Sequence, residues 1–379
     1  MRIVQIVQAI GPGSGVAGVA WNLEREFRAL GHTVEAFTYA TAQRGRGHSW
    51  PTLRLARRVA RAWGVVWFST VGTRRARQYL ADRPDAVSIC HNNVLAGDVY
   101  VSHGVVTAAM NSLDHGWWRV LRNPTHAFVY VRDLWRFRRG IHKLVIALSG
   151  YEAAALRRTY GALRSPIEVI PNGVDTRIYH PPTCEERTHA RAVFHLDDDD
   201  RIALFIGHEF ERKGLRFAME ALIEAPSVML LVVGGSADIM ASAEAEAERL
   251  GVGERVMFVG PRHDLPLFFA AADMFVLPSS YESNALVILE ALSSGLPVLS
   301  TPVGYAPEVI EDGRNGWIVG RSPAEIGQRF EQVAREPVGA FGEAARASVA
   351  NLDWESVALR YVAVLEQLAR GRDRTEWSG

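Results

Sequence analysis

The stretch Phe275-Val276-Leu277-Pro278-Ser279-Ser280-Tyr281-Glu282-Ser283-Asn284-Ala285-Leu286-Val287-Ile288-Leu289-Glu290-Ala291-Leu292 runs on through Gly295-Leu296-Pro297 into Val298-Leu299-Ser300. A short apolar run, a polar loop, an apolar stretch of helical length, a Gly-Leu-Pro break and a second apolar run spell strand, loop, helix, turn, strand. This is one βα unit of a parallel sheet. Leu286, Val287, Leu289 and Leu292 make the helix apolar nearly all round, so it is buried and a charged Glu290 within it needs a partner.

The same unit recurs along the chain. Strands are expected at 3–7, 33–38, 86–90, 99–102, 144–148 and 168–170, then at 202–206, 229–233, 256–259, 275–277, 298–300 and 317–319. Between the two series lie Pro171-Asn172-Gly173-Val174-Asp175, Pro181-Pro182 and the acidic run Asp197 to Asp200, a linker-like composition. The fold class is therefore α/β: two Rossmann-like doubly wound domains, 1–171 and 172–353, facing across a cleft, with a closing amphipathic helix, 354–379, packing back on the first. A length of 379 residues suits two such domains.

Composition narrows the class. With 48% hydrophobic and 22% charged residues the chain is a globular protein with material for sizeable cores. Cys90 and Cys184 have no metal-ligand or disulfide spacing, which fits a reducing cytosol. The opening run Arg2 to Val7 passes into Gly11-Pro12-Gly13 as a strand and turn, unlike a signal sequence. No apolar stretch reaches the ~18 residues of a membrane span. The net charge of zero divides unevenly: residues 1–170 carry 23 Lys+Arg against 10 Asp+Glu, and residues 171–379 carry 19 against 32. The two halves face different partners, or each other.

In the opening stretch, the first helical turn presents backbone amides near Asn284, Ala285 and Leu286 suited to a diphosphate. Glu282 lies just before that turn and Glu290 about two turns beyond, each able to accept hydrogen bonds from neighbouring hydroxyls, a sugar at Glu282 and a ribose at Glu290. By spacing alone, a helix cap and an ordinary helical glutamate fit equally well. A second loop, Gly207-His208-Glu209-Phe210-Glu211-Arg212-Lys213-Gly214, sets two adjacent cations where they can stabilise a departing diphosphate; taken alone it also suits a solvated basic turn.

The loop Gly11 to Gly18 contains Gly-x-Gly-x-x-Gly, which raises a dinucleotide-dependent oxidoreductase as rival. That rival needs an acid at the end of the second strand, where Thr38-Tyr39-Ala40 supplies none. Asp197 to Asp200 precedes a strand instead of following one, and reads as a solvated loop, with no metal expected. His91 and His103 end or follow strands, positions that structural histidines commonly fill.

The two glutamates with seven residues between them, followed by Gly295-Leu296-Pro297-Val298, resemble the family 4 retaining glycosyltransferases of the GT-B fold, glycosyltransferase group 1. The resemblance covers nearly the whole chain. The Arg212-Lys213 loop is similar to that of lipopolysaccharide-core glucosyltransferases and related lipid and polysaccharide hexosyltransferases. The resemblance implies phosphate binding by Arg212 and Lys213, sugar contact by Glu282 and His103, ribose contact by Glu290, and approach of the first domain's backbone to the donor at Gly15. It also implies retention of anomeric configuration. Two departures stand out: Ser283-Asn284-Ala285 replaces a glycine-containing segment, and His208 stands where many relatives have arginine.

Nine arginines fall between residues 44 and 77, including Arg54, Arg57, Arg58, Arg61, Arg74, Arg75 and Arg77, interleaved with Trp50, Trp63, Trp67 and Phe68. A second cluster holds Trp117, Trp118, Arg132, Trp135, Arg136, Arg138 and Arg139. Such clusters suit an anionic membrane surface, and equally solvated arginines around core tryptophans; no nucleic-acid module is visible. The expectation is a cytoplasmic hexosyltransferase, peripheral on the inner face of the membrane. It moves a hexose from a UDP- or GDP-linked donor, UDP being the first expectation for the base, to a glycan or lipid-linked acceptor, with no cofactor. A small soluble acceptor, or a nucleotide-sugar-binding protein without transfer, are the alternatives.

Overall fold

The computed structural model describes residues 1–13, 15–43, 54–91, 93–105 and 124–376, the side chains of 54–59, 61, 124 and 372–376 lying outside that description. The chain divides into two compact units, Met1–Asn172 with Trp354–Gly379, and Gly173–Asp353.

The first unit holds β1 (Arg2–Ile6), β2 (Thr33–Phe37), β3 (Ala86–Cys90), β4 (Val99–Val101), β5 (Leu144–Ala147) and β6 (Ile167–Val169) in the order β2-β1-β3-β4-β5-β6. The second holds β7 (Arg201–Ile206), β8 (Val228–Val233), β9 (Val256–Gly260), β10 (Met274–Leu277), β11 (Val298–Ser300) and β12 (Gly316–Ile318) in the order β12-β11-β10-β7-β8-β9. Every pairing is parallel. All twelve strands expected from the apolar runs are present, with ends shifted by a residue or so. Two Rossmann-like units of this kind are the GT-B architecture.

Parallel sheets are covered on both faces, so their central strands read as continuous apolar runs instead of alternating ones. β10 is buried at all four positions and β3 at all five. Around β7 and β10, Phe205, Phe268, Phe269 and Phe275 form one core with the helix Leu286–Ser293. In that sheet β7 connects outward to β8 and β9, and the chain then returns to the other side of β7 to form β10. The reversal leaves a crevice beyond the carboxyl ends of β7 and β10, where open α/β sheets bind ligands.

Two expectations need correcting. The Pro-rich and acidic stretch expected as a linker is folded into the second unit. Thr183 and Glu186 form a reciprocal capping box that starts the helix Cys184–Val193. Its Arg187 binds Asp273 at 2.6 Å, and Phe194 packs on Phe268 at 4.8 Å between ring centres. The acidic run closes on itself, Asp197 N–H donating to Asp200 Oδ2, while Arg191 donates to the carbonyls of Asp197 and Asp200.

The second basic cluster is only partly a surface. Arg132 and Arg136 are buried on the helix Pro124–Arg139, sharing Asp133, with the Arg136 guanidinium 3.8 Å over the Tyr100 ring. Helical periodicity turns these two inward while Trp135, Arg138 and Arg139 face out. Trp50, Trp117 and Trp118 lie outside the described residues, as do the side chains of Arg54, Arg57, Arg58 and Arg61. The last helix, Trp354–Glu376, belongs to the first unit: Tyr361 meets Phe27 edge to face, and Arg360 donates to the Val169 carbonyl at 2.6 Å.

Candidate active site

At the crevice of the second unit, the chain leaving β7 makes a tight helical turn, Phe210–Lys213, ended by Gly214 at φ +78°. The chain leaving β10 carries Ser279 to Glu282 alongside it. The two are tied by the Ser280 N–H donating to the Arg212 carbonyl at 2.8 Å. Glycine is required at 214 by more than its φ, because a Cβ there would lie 2.1 Å from the Pro278 carbonyl oxygen. At Gly207 a Cβ would lie 2.1 Å from Cδ of Lys213, so the missing side chain makes room for the lysine stem.

Three of the expected site residues meet here. Lys213 Nζ and Arg212 Nη1 each lie 3.0 Å from the same oxygen, Oε1 of Glu282, and Ser279 Oγ lies 3.2 Å from it. Arg212 also donates to the Tyr281 carbonyl at 2.5 Å and to Glu209 at 2.8 Å. Burial pushes the Glu282 carboxyl toward a higher pKa, but the two cations more than offset this and hold it below its ordinary value. Lys213 and Lys143 are the only lysines in a chain of 42 basic residues, so an ammonium at this point departs from the chain's strong preference for arginine. His208 is exposed.

Glu282 is followed by Ser283, then by buried Asn284 and Ala285. Ala285 is the N-cap of the helix Leu286–Ser293, and no side chain of the cap takes up the first-turn amides. On that helix Glu290 hydrogen-bonds through its carboxyl to Tyr179, while its Oε2 is buried with no partner among the described residues. Burial raises the Glu290 carboxyl to about 7, partly offset by Tyr179 and Lys213. Two glutamates eight positions apart thus occupy opposite electrostatic environments, one neutralised by cations and one short of them.

The first unit carries the other expected residues. Gly15 opens the helix Gly15–Ala29 at φ +76°. His103 follows β4, and His91 follows β3. His91 Nδ1 lies 3.1 Å from His103 Nε2, and His91 Nε2 lies 2.8 Å from Oε1 of Gln5. Burial lowers the pKa of both rings, that of His103 to about 4. The backbone on either side of His103 is gripped by buried Glu152, which accepts from Ser102 Oγ at 2.9 Å, from the Leu148 N–H at 2.8 Å and from the Gly104 N–H. Burial raises the Glu152 carboxyl to about 7, against those three bonds.

Sequence reading missed Tyr179, Ser279, Gln5 and Glu152. Only Gln5 carried a local signal, a polar residue inside an otherwise apolar strand. Among the described residues no group of three or more His, Cys, Asp or Glu side chains is placed to hold a metal, and no helix is long and apolar enough to cross a membrane.

Comparison with known proteins gives this geometry a family. Residues 13–178 match the model described as Glycosyltransferase Family 4, and residues 186–348 match Glycosyl transferases group 1. Curated relatives include D-inositol 3-phosphate glycosyltransferases of Segniliparus rotundus, 33% identical over 60% of this chain and 53% of the relative, and of Mycobacterium tuberculosis strain H37Ra, 33% identical over 54% and 44%. The chain spans about half the length of these relatives.

Among solved structures, sucrose-phosphate synthase from Thermosynechococcus elongatus superposes with a TM-score of 0.76 at 22% identity, over 98% of this chain and 99% of its own. WaaG, a glycosyltransferase involved in lipopolysaccharide biosynthesis, gives 0.74 at 22%, over 96% and 99%. Anabaena HepE, solved in complex with UDP and glucose, gives 0.69 at 20%, over 97% and 100%. With both halves matched in tandem and both sheets in place, the chain carries a family 4 glycosyltransferase domain at 13–178 followed by a group 1 glycosyltransferase domain at 186–348, in the GT-B fold.

Proposed function

We propose that the chain is a retaining, metal-independent hexosyltransferase that uses a UDP-linked sugar as donor. The observation that carries the reading is the convergence of Lys213 and Arg212 on Glu282 at the carboxyl ends of β7 and β10, beside the start of the helix Leu286–Ser293. Two fixed cations and first-turn amides are the groups that stabilise a departing diphosphate without a metal. Glu282, kept ionised by those cations, accepts hydrogen bonds from sugar hydroxyls, and the unpartnered Oε2 of Glu290 accepts from the ribose. On the first unit, the family resemblance assigns His103 to the sugar and Gly15 to the phosphate.

In this scheme the bond from the anomeric carbon to the diphosphate oxygen breaks as the acceptor oxygen adds on the same face. The acceptor's proton passes to the departing diphosphate. Arg212, Lys213 and the helix amides hold the charge that accumulates there. The complexes of HepE with UDP and glucose and with UDP-glucose support a UDP-linked donor by analogy.

The acceptor in this reading is a lipid-linked glycan, a glycolipid or a cell-surface polysaccharide, reached at an anionic membrane face through the first unit. Exposed Trp63, Val71, Val131 and Trp135 on that unit support it, and the sequence of the helix Arg54–Trp67 carries four arginines. Incubating the protein with a panel of nucleotide sugars in excess chelator, and following free nucleotide, tests the donor and metal claims. Release from one UDP-sugar is expected. Binding without release points to a carrier, and complete loss in chelator refutes metal independence.

A further inference from the structure

Gln5, buried in the middle of β1, is a polar residue that packing alone does not explain. Its Nε2 donates to the Ala20 carbonyl of the helix Gly15–Ala29 at 2.9 Å. A carbonyl only accepts, so the amide has one orientation: nitrogen toward Ala20, oxygen toward His91. The amide oxygen in turn only accepts, so the His91 nitrogen 2.8 Å away, Nε2, carries its proton. His91 is fully buried and burial lowers its pKa well below the ordinary value, so it is neutral and its Nδ1 is an acceptor. The His103 Nε2 at 3.1 Å must then be the donor. One backbone carbonyl sets the proton position on a ring three hydrogen bonds away.

We propose that Gln5 and His91 are positioning residues that place the proton of His103 on Nε2 and its lone pair on Nδ1. A lone imidazole interconverts between its two neutral forms and, near its ordinary pKa, takes a second proton. The relay removes the first freedom and burial the second, while Glu152 accepts from the Ser102 hydroxyl and the Gly104 N–H on either side of the ring. In this state Nδ1 of His103 is an acceptor only. That suits an uncharged sugar hydroxyl and disfavours a carboxylate or phosphate oxygen. The part of this inference that concerns the sugar rests on the transferase reading; the proton position does not.

Ring-nitrogen NMR of the full-length protein labelled in histidine tests it, with the His103 signals identified by their loss in His103→Gln. At pH 7.5 the wild type is expected to show a pyridine-type Nδ1 and a pyrrole-type Nε2 at His103. Gln5→Met, which keeps the length of the side chain and removes both hydrogen bonds, is expected to give a mixture of the two neutral forms. In the same variant kcat is expected to fall about tenfold, as when a group that orients a contact residue is lost, with the Kd for free UDP unchanged. A wild-type His103 that is cationic or carries its proton on Nδ1 overturns the relay. A Gln5→Met protein with the wild-type ring spectrum, or with unchanged kcat, overturns the positioning role. If the variant fails to fold, the wild-type spectrum still decides the proton position. If no transferase activity exists, the spectrum tests the relay alone and the functional reading fails separately.

Discussion

The carboxyl ends of the two sheets are built from opposite materials. In the second unit the crevice between β7 and β10 holds fixed charges, with Lys213 and Arg212 on one oxygen of Glu282. In the first, the ends of β1, β3 and β4 hold a neutral chain of hydrogen bonds, Ala20 to Gln5 to His91 to His103. The same Rossmann-like frame supplies both, so the difference lies in the side chains that each strand end presents. Charges placed before reaction favour a diphosphate leaving group. Neutral groups of defined donor and acceptor sense read hydroxyls without competing for phosphate.

Removing the charge breaks the comparison most severely. Lys213→Ala or Arg212→Ala is expected to lower kcat by about 10²–10³-fold, the cost of losing one preorganised stabilising group. Steady-state nucleotide release measures it, and a change confined to KM would move these cations from the transition state to ground-state binding.

A pH profile sharpens the contrast between Glu282 and Glu290. Glu290 keeps its proton up to about 7 in the folded chain, whereas the ordinary value is 4.5. Between those values the native state binds more protons than the unfolded one, so this group's contribution to stability is full below about 4.5 and is lost as pH rises through about 7. In its proposed role Glu290 accepts from the ribose as the anion, which forms over the same rise, so donor KM is expected to fall from pH 6 to pH 8. Glu290→Gln flattens both the Tm profile and the KM profile. A KM slope that survives the substitution assigns it elsewhere.

Smaller effects are expected away from the crevices. Arg57, Arg58 and Arg61 changed together to Glu are expected to weaken co-sedimentation with anionic vesicles, each arginine contributing about 1 kcal/mol. Equal partitioning of both proteins removes the membrane from the account. Asp198→Asn, in the exposed turn after the helix Cys184–Val193, is expected to leave turnover unchanged with or without chelator.

How much of this was legible depends on how far apart the interacting residues lie. The strands were readable because buried parallel strands write their burial locally as apolar runs, and Glu282 and Glu290 because one strand, loop and helix contains both. Tyr179 was not, since it reaches Glu290 only after the chain has built most of the second sheet. Gln5 and His91 meet across 86 residues, with nothing near either to announce the other. Arg132 and Arg136 misled for the converse reason: their local context is basic, and only tertiary packing brings the Tyr100 ring beneath Arg136. Trp135 on the same helix is exposed, so neither all-surface nor all-core describes the cluster.

The central claim is that the charged crevice of the second unit holds the donor, with Glu282 on the sugar. Glu282→Ala tests it most directly, assayed for turnover of the preferred nucleotide sugar with binding of the free nucleotide as control. The account predicts that kcat falls by about 10²-fold or more while the free nucleotide still binds. Near-normal turnover by the variant would contradict it.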